Sequence, residues 1–148
     1  MEIKVALVPE SSPEIVEIKC HEVSEEVREI VSFVKTRQGV LSGSRDGDKF
    51  EVPVTDICYI ESVDNRSFLY TAKESYEIHM RIYELEEVLA GSSFVRVQKG
   101  MLLNLMKVKS IKPGLSGRYV ALLKNGEEII ISRKYVPDFK KALKGGAA

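Results

Sequence analysis

Residues 94–104 read Phe94-Val-Arg-Val-Gln-Lys-Gly-Met-Leu-Leu-Asn104, two short apolar runs separated by the polar triplet Gln98-Lys99-Gly100. Short runs of apolar and β-branched side chains are typical of buried strands, and a polar triplet containing glycine is typical of the turn between them. The stretch therefore predicts a pair of strands, at about 94–97 and 101–103, with a basic side chain in the connecting turn.

The same rhythm of short apolar segments and turn signals extends in both directions from this stretch. Asp46-Gly47 and Asn125-Gly126 are dipeptides that close β-hairpins. Between them, apolar residues at helical spacing predict one helix at about 81–90, which stops at Gly91. The predicted fold class is therefore α+β, mainly antiparallel β with one embedded helix. Its strands are expected at about 40–41, 50–52, 57–63, 68–71, 75–80, 94–97, 101–103, 108–111, 119–123 and 128–132.

Residues 1–37 have a different pattern. Apolar alternation over 3–7 predicts a strand, and 15–20 predicts a second. Ser24, followed by two glutamates, is a typical helix start, and the apolar stripe behind it predicts an amphipathic helix that ends by residue 36. This β-β-α extension carries no chemistry and suits a packing or dimerisation element. We therefore expect two parts, 1–37 and 38–148.

Composition places the chain among ordinary globular proteins. It has 148 residues, 44% apolar and 30% charged, enough for one ordinary domain or two very small ones. No apolar run approaches the roughly 20 residues that span a bilayer, and the N-terminus lacks signal-peptide features. Cys20 and Cys58 have apolar neighbours, which favours reduced core thiols in a cytoplasmic protein over a redox pair. Membrane insertion is not expected.

Charge is distributed unevenly along the chain. Residues 92–148 carry twelve Lys and Arg and three acids, whereas residues 1–91 carry ten and nineteen. A basic face attracts phosphate and releases counterions on contact, which favours a nucleic-acid partner. A solvated face that only keeps the domain soluble is the alternative that charge leaves open.

Catalytic and metal-binding constellations are scarce. His21 and His79 have no Cys or His at metal-ligand spacing. The adjacent acids Glu86-Glu87 and Glu127-Glu128 point in different directions on a helix or strand, so neither pair converges. No glycine-rich phosphate loop precedes a helix. We expect no enzyme, no cofactor, no metal and no small-molecule substrate.

Basic residues concentrate in the predicted turns. Arg66, Lys99, Arg118 and Arg133-Lys134 all flank strand ends, where a rigid sheet can hold outward-facing loops. Arginine and lysine read guanine, and glutamine or asparagine can read adenine. Most aromatics fall at core positions, so stacking platforms for single strands are few. Duplex DNA is the favoured polyanion.

Three segments together carry a family resemblance. Residues 94–104, the upstream Ile57-Cys-Tyr-Ile-Glu-Ser62 and the downstream Leu123-Lys-Asn-Gly-Glu-Glu-Ile-Ile-Ile-Ser-Arg-Lys-Tyr135 resemble the LytTR DNA-binding domain of bacterial transcription regulators. Arg81-Ile-Tyr-Glu-Leu-Glu-Glu-Val-Leu89 is similar to the family's helix before its Phe-x-Arg segment. The similarity covers roughly residues 40–144 in the family's order.

The resemblance implies small antiparallel sheets with a helix, and loops that enter successive major grooves of duplex DNA and often bend it. It implies base readout mainly by Lys99 and Arg133, with Arg66 or Ser67 as a third contact. Asn104 and Ser132 would fix loop geometry by side-chain hydrogen bonds. Lys134, Arg118 and the backbone around Gly100 would hold phosphates. The full set of expected contact residues is Asn65, Arg66, Ser67, Gln98, Lys99, Gly100, Arg118, Arg133 and Lys134.

Two departures from the family pattern affect these expectations. Many members have His where this chain has Gln98, and Ser or Thr where it has Gly100, so the target sequence should differ. Many members also carry an N-terminal phosphoacceptor receiver domain, for which residues 1–37 are too short. We therefore expect a stand-alone regulator without that control, homodimeric through its extension and bound to repeated half-sites. A protein-interaction adaptor with an incidental basic face is the alternative.

Overall fold

The structure, a computed structural model, describes residues 1–146 and assigns them three α-helices and ten strands. The helices are α1 (Glu25–Arg37), α2 (Ile82–Val88) and α3 (Val136–Gly146). The strands are β1 (Val40–Arg45), β2 (Asp48–Pro53), β3 (Ile57–Val63), β4 (Arg66–Thr71), β5 (Ser75–Ile78), β6 (Phe94–Gln98), β7 (Met101–Asn104), β8 (Val108–Pro113), β9 (Tyr119–Leu123) and β10 (Glu128–Ile131). The last two residues of the expected 38–148 domain lie outside the described range.

All strand pairs are antiparallel and form two sheets. The larger sheet has seven strands in the order β2-β1-β5-β4-β3-β7-β6, and the smaller has three in the order β10-β9-β8. The α+β, mainly antiparallel prediction is confirmed. The β1–β2 hairpin turns at Asp46-Gly47 with positive φ at both residues, as a two-residue hairpin of the primed type requires.

Strands β3 and β7 lie between two apolar clusters, which explains their nearly continuous apolar sequence. On one face, Ile60 and Leu102 pack with Leu85 of α2. On the other face, Tyr59 and Leu103 pack against the smaller sheet and α3. The pair of strands predicted over residues 94–104 is therefore confirmed as β6 and β7, and all four β7 residues are buried.

Helix α3 corrects the prediction of a single embedded helix. Val136, Phe139 and Leu143 have helical spacing and face the cluster between the sheets, where Phe139 is fully buried. Pro137 lies in the first turn, where the missing N–H costs no helical hydrogen bond. The i, i+3, i+7 apolar spacing was the available sequence signal for this helix.

The N-terminal extension is partly as predicted. Helix α1 begins after Ser24, whose hydroxyl accepts a hydrogen bond from the Val27 N–H at 3.3 Å. Val27 is buried and α1 packs on β1. The two strands predicted over 3–7 and 15–20 are absent, because a strand needs a hydrogen-bonded neighbour and these segments have none within the described chain.

The two thiols differ in environment. Cys58 is buried between the sheets, as expected, and desolvation raises the pKa of its thiol. Cys20 is exposed, so its prediction as a core residue is wrong. Neither forms a disulfide within residues 1–146.

Candidate nucleic-acid interface

Strand register brings four turns to one end of the two sheets. In the larger sheet, the β3–β4 turn lies beside the β6–β7 turn, because the last residues of β3 pair with the first of β7. In the smaller sheet, the β8–β9 turn lies beside the chain leaving β10, because Ile131 pairs with Tyr119. We call the set of these turns the basic margin; its segments are 64–66, 98–100, 114–118 and 132–134.

Short contacts hold three of these turns together. The Ser62 N–H donates to the Gly100 carbonyl at 2.7 Å, which joins β3 to the β6–β7 turn. The Gln98 Nε2 donates to the Ile130 carbonyl at 2.8 Å, and the Ser132 N–H donates to the Val97 carbonyl at 2.9 Å. The turn of the larger sheet is therefore fixed to the end of β10 in the smaller sheet. The Gln98 side chain therefore links the two sheets, and its amide N–H is used in that hydrogen bond.

Arg96 shapes the β6–β7 turn from the inside. Its Nε donates to the carbonyl oxygens of Lys99 at 3.0 Å and Gln98 at 3.3 Å, and its Nη2 donates to Lys99 as well. Its Nη1 meets the Glu86 carboxylate of α2 at 3.3 Å, and the guanidinium lies 6.0 Å from the Tyr135 ring centre. Because Arg96 holds the Lys99 carbonyl, the Lys99 side chain lies exposed at the tip of the β6–β7 turn. Sequence reasoning missed this role of Arg96.

Arg118, Arg133 and Lys134 share a shallow recess lined also by Ser116 and Ser132. Gly117 makes this possible: a Cβ at Gly117 would lie 2.8 Å from the Arg133 Cδ, and its φ of +77° favours glycine. The Arg133 side chain therefore lies across the β8–β9 turn. Ser132 contributes through its backbone N–H and makes no side-chain cap, which corrects its expected role.

The β3–β4 turn is less available than predicted. Asp64 and Asn65 occupy it with positive φ, and both are exposed. Arg66 donates from Nε and Nη2 to the two Glu77 oxygens at 2.9 and 2.8 Å, so its fork is occupied. The Arg66 guanidinium holds the pKa of the Glu77 carboxyl below its usual range. Ser67 is only 3% exposed, which is incompatible with the expected contact.

Asn104 acts as predicted, as a fixer of loop geometry. Its buried Nδ2 donates to the Ile57 carbonyl at 2.8 Å, and its Oδ1 accepts from the Met106 N–H at 3.1 Å and the Ser93 hydroxyl at 2.6 Å. Every polar atom of this side chain that lies in the core has a partner.

The free positive charge of the margin comes from a small set of exposed side chains. Among ion pairs of the described residues, none involves Lys99, Arg118, Arg133 or Lys134. Lys140 of α3 joins them: its Nζ lies 4.7 Å from the centre of the Tyr119 ring, next to Arg118. Sequence reasoning missed Lys140 because α3 itself was not predicted.

Other kinds of site find no support within residues 1–146. No group of three or more His, Cys, Asp or Glu side chains is arranged to hold a metal ion there. That same range contains no helix with the length and apolar character needed to cross a membrane.

Comparisons with known proteins identify the family of this chain. The family model described as LytTr DNA-binding domain matches residues 48–144. The sensory transduction protein LytT of Bacillus anthracis is 31% identical over 93 residues, 63% of this chain. The transcriptional regulatory protein YpdB of Escherichia coli K12 is 34% identical over 92 residues, 62% of this chain. The chain spans 38% of the length of each of these relatives.

A solved structure gives the same result for the fold. A LytTr DNA-binding domain of a response regulator from Bacillus cereus superimposes with a TM-score of 0.68 at 23% sequence identity. The match covers 71% of this chain and 96% of that domain. Because the family model covers more than half of the sequence, this chain belongs to the LytTr DNA-binding domain family.

Proposed function

We propose that this chain is a sequence-specific, duplex-DNA-binding transcription regulator that reads major grooves with the turns of the basic margin. The observation that carries the proposal is the convergence of five exposed cations, from four separate segments, on one end of two rigid sheets. Its family and the named regulators that it resembles support the same assignment.

Base readout falls to Lys99 and Arg133. Both side chains are exposed, and each is held at its base: Lys99 by the Arg96 hydrogen bonds to its carbonyl, and Arg133 by its seat over Gly117. Because the backbone or the stem that carries each side chain is already positioned, less conformational entropy is lost when the side chain binds a base edge.

Phosphate contacts fall to the remaining cations, Arg118, Lys134 and Lys140. They flank the two readers on the side of the smaller sheet. The Gly100 carbonyl accepts a hydrogen bond from the Ser62 N–H. The expected backbone contact around Gly100 is therefore made by N–H groups, which donate to phosphate oxygens.

The quaternary part of the proposal is a homodimer on repeated half-sites. The extension 1–37 is the proposed dimerisation element, because its helix α1 packs on β1, next to the edge strand β2, and its first segments expose apolar side chains.

A salt titration tests DNA binding directly. Duplexes selected by the chain from a random-sequence pool are labelled, and anisotropy is followed at several salt concentrations. With three phosphate contacts, the slope of log Kobs against log salt should be about −3 per chain. The absence of binding, or binding that does not respond to salt, would contradict the proposal.

Glu77→Gln should strengthen this binding. The substitution removes one acid beside the margin and releases the Arg66 guanidinium, which is then free to bind a phosphate. We expect an affinity gain of several-fold at neutral pH and a salt slope steeper by about one.

Glu74→Gln is the matched control for that prediction. It removes the same charge, but Glu74 pairs with Arg45 at 2.7 Å, at the opposite end of the sheet. Equal effects of the two substitutions would show that net charge alone, without the release of Arg66, governs the change.

A further inference from the structure

Residues 1–20 form two arms without helix or strand, 1–8 and 13–20, on either side of a tight turn. In the turn, the Ser12 N–H donates to the Pro9 carbonyl at 2.9 Å. No backbone hydrogen bond in the described chain joins one arm to the other. Both arms therefore keep unpaired strand edges, which can accept another strand.

The arms are complementary when aligned antiparallel in the register set by that turn, with 8 opposite 13. In this register Ile3 lies opposite residue 18 and Val5 opposite residue 16, both apolar. Two pairs of opposite charge fall in the same register: Glu2 with Lys19, and Lys4 with Glu17. Opposite charges and apolar pairs directly across a ladder both stabilise it.

The same register separates the side chains into two faces. One face carries the charged pairs together with Ala6, Val8, Pro13 and Ile15, and the other carries mostly apolar residues at alternate positions of both arms. Leu7, Ile3 and Val5 are 98%, 90% and 89% exposed, the highest values among large apolar side chains of the described chain. This apolar face is composed of Met1, Ile3, Val5, Leu7, Val16, Ile18 and Cys20, and Glu14 lies at its end, opposite Leu7.

We propose that the partner of these arms is a second copy of this chain, with arm 1–8 of each copy paired to arm 13–20 of the other. Closure within one chain is disfavoured, because an isolated two-stranded hairpin is marginal in water. Exchange between copies instead forms two such ladders, whose apolar faces cover one another. Val31 and Phe33 of α1 are also exposed apolar side chains of the extension.

This inference rests on the homodimer of the proposed function and names its interface. It does not depend on DNA binding, since the arms carry none of the basic-margin residues. Its test is therefore made without DNA, and DNA affinity is measured separately on the same samples.

Two double variants with unchanged net charge provide the test. Glu2→Lys with Lys4→Glu reverses the first arm, and Glu17→Lys with Lys19→Glu reverses the second. All four side chains are exposed, so the fold should be retained, as circular dichroism can verify. In either homodimer four attractive pairs become repulsive, and the dimer dissociation constant from analytical ultracentrifugation should rise about tenfold or more.

An equimolar mixture of the two variants is decisive. Reversed first arms then meet reversed second arms, and unreversed arms meet each other, so exchange between copies restores every opposite-charge pair. We expect heterodimers with the parent's affinity. If the mixture stays as weak as its components while a chain with all four substitutions dimerises normally, the arms pair within one chain and the inference is wrong. Parent-like dimers in every sample, or a monomeric parent, also overturn it.

The affinity of each chain for a duplex with a single half-site distinguishes a failure of the arm exchange from a failure of the proposed function. Each double variant should bind a duplex with a single half-site as the parent does, because the basic margin is unchanged. Lost dimerisation with retained half-site binding supports the exchange, whereas loss of half-site binding in the parent itself contradicts the proposed function alone.

Discussion

Alanine at Lys99 or at Arg133 should weaken specific duplex binding by about 1–3 kcal/mol in each case. Each substitution removes an exposed cation that the fold holds at the margin, Lys99 through Arg96 and Arg133 through Gly117. The losses should be nearly additive if the two side chains read different base pairs. Anisotropy titrations with the selected duplex and with single-base-pair variants measure both the loss and the position at which discrimination relaxes.

Lys124→Ala is the matched control for charge. Lys124 is exposed at the β9–β10 turn, at the opposite end of the smaller sheet from Arg133. Its removal should leave the ranking of duplexes unchanged. If Lys99→Ala and Arg133→Ala behave like this control, the two side chains do not read bases.

Phe139→Ala is expected to lower the free energy of unfolding by about 3–5 kcal/mol. The ring is fully buried among residues of both sheets, including Val97 and Ile131, so truncation leaves a cavity where α3 joins them. The loss is a large fraction of the stability of a small domain. Urea unfolding followed by circular dichroism measures it.

Lys141→Ala serves as the control within the same helix, since its side chain is exposed. Its unfolding midpoint should match the parent's to within about 0.5 kcal/mol. Equal midpoints for Phe139→Ala and Lys141→Ala would mean that α3 does not dock on the sheets.

Much of the fold was predictable because its signals are local. Alternation of apolar and polar residues, turn dipeptides and the Ser24 cap each depend only on neighbours in the chain. These signals predicted the strands β1 to β10 and the helix α1. Three elements were predicted wrongly: one helix was missed and two strands were expected that are absent. Helix α3 was overlooked despite its periodicity, and the strands over 3–7 and 15–20 require a neighbour that the single chain does not supply.

The candidate site shows the same division. Residue type and turn position predicted Lys99, Arg118, Arg133 and Lys134, which the register does bring to one end of the sheets. Their assigned contacts with DNA stay a prediction. The sequence pattern did not predict that the Ser67 side chain is buried.

The sequence by itself determined the rhythm of strands, the order of family motifs and the basic character of residues 92–148. Tertiary structure alone decided which charges are free. Arg66 is occupied because strand pairing sets Glu77 beside it, and Arg96 turns inward because Glu86 and the Lys99 carbonyl surround it. The physical reason is that an ion pair or a clamp joins residues from different strands and helices, and only the register of the folded sheets brings such residues within hydrogen-bond distance.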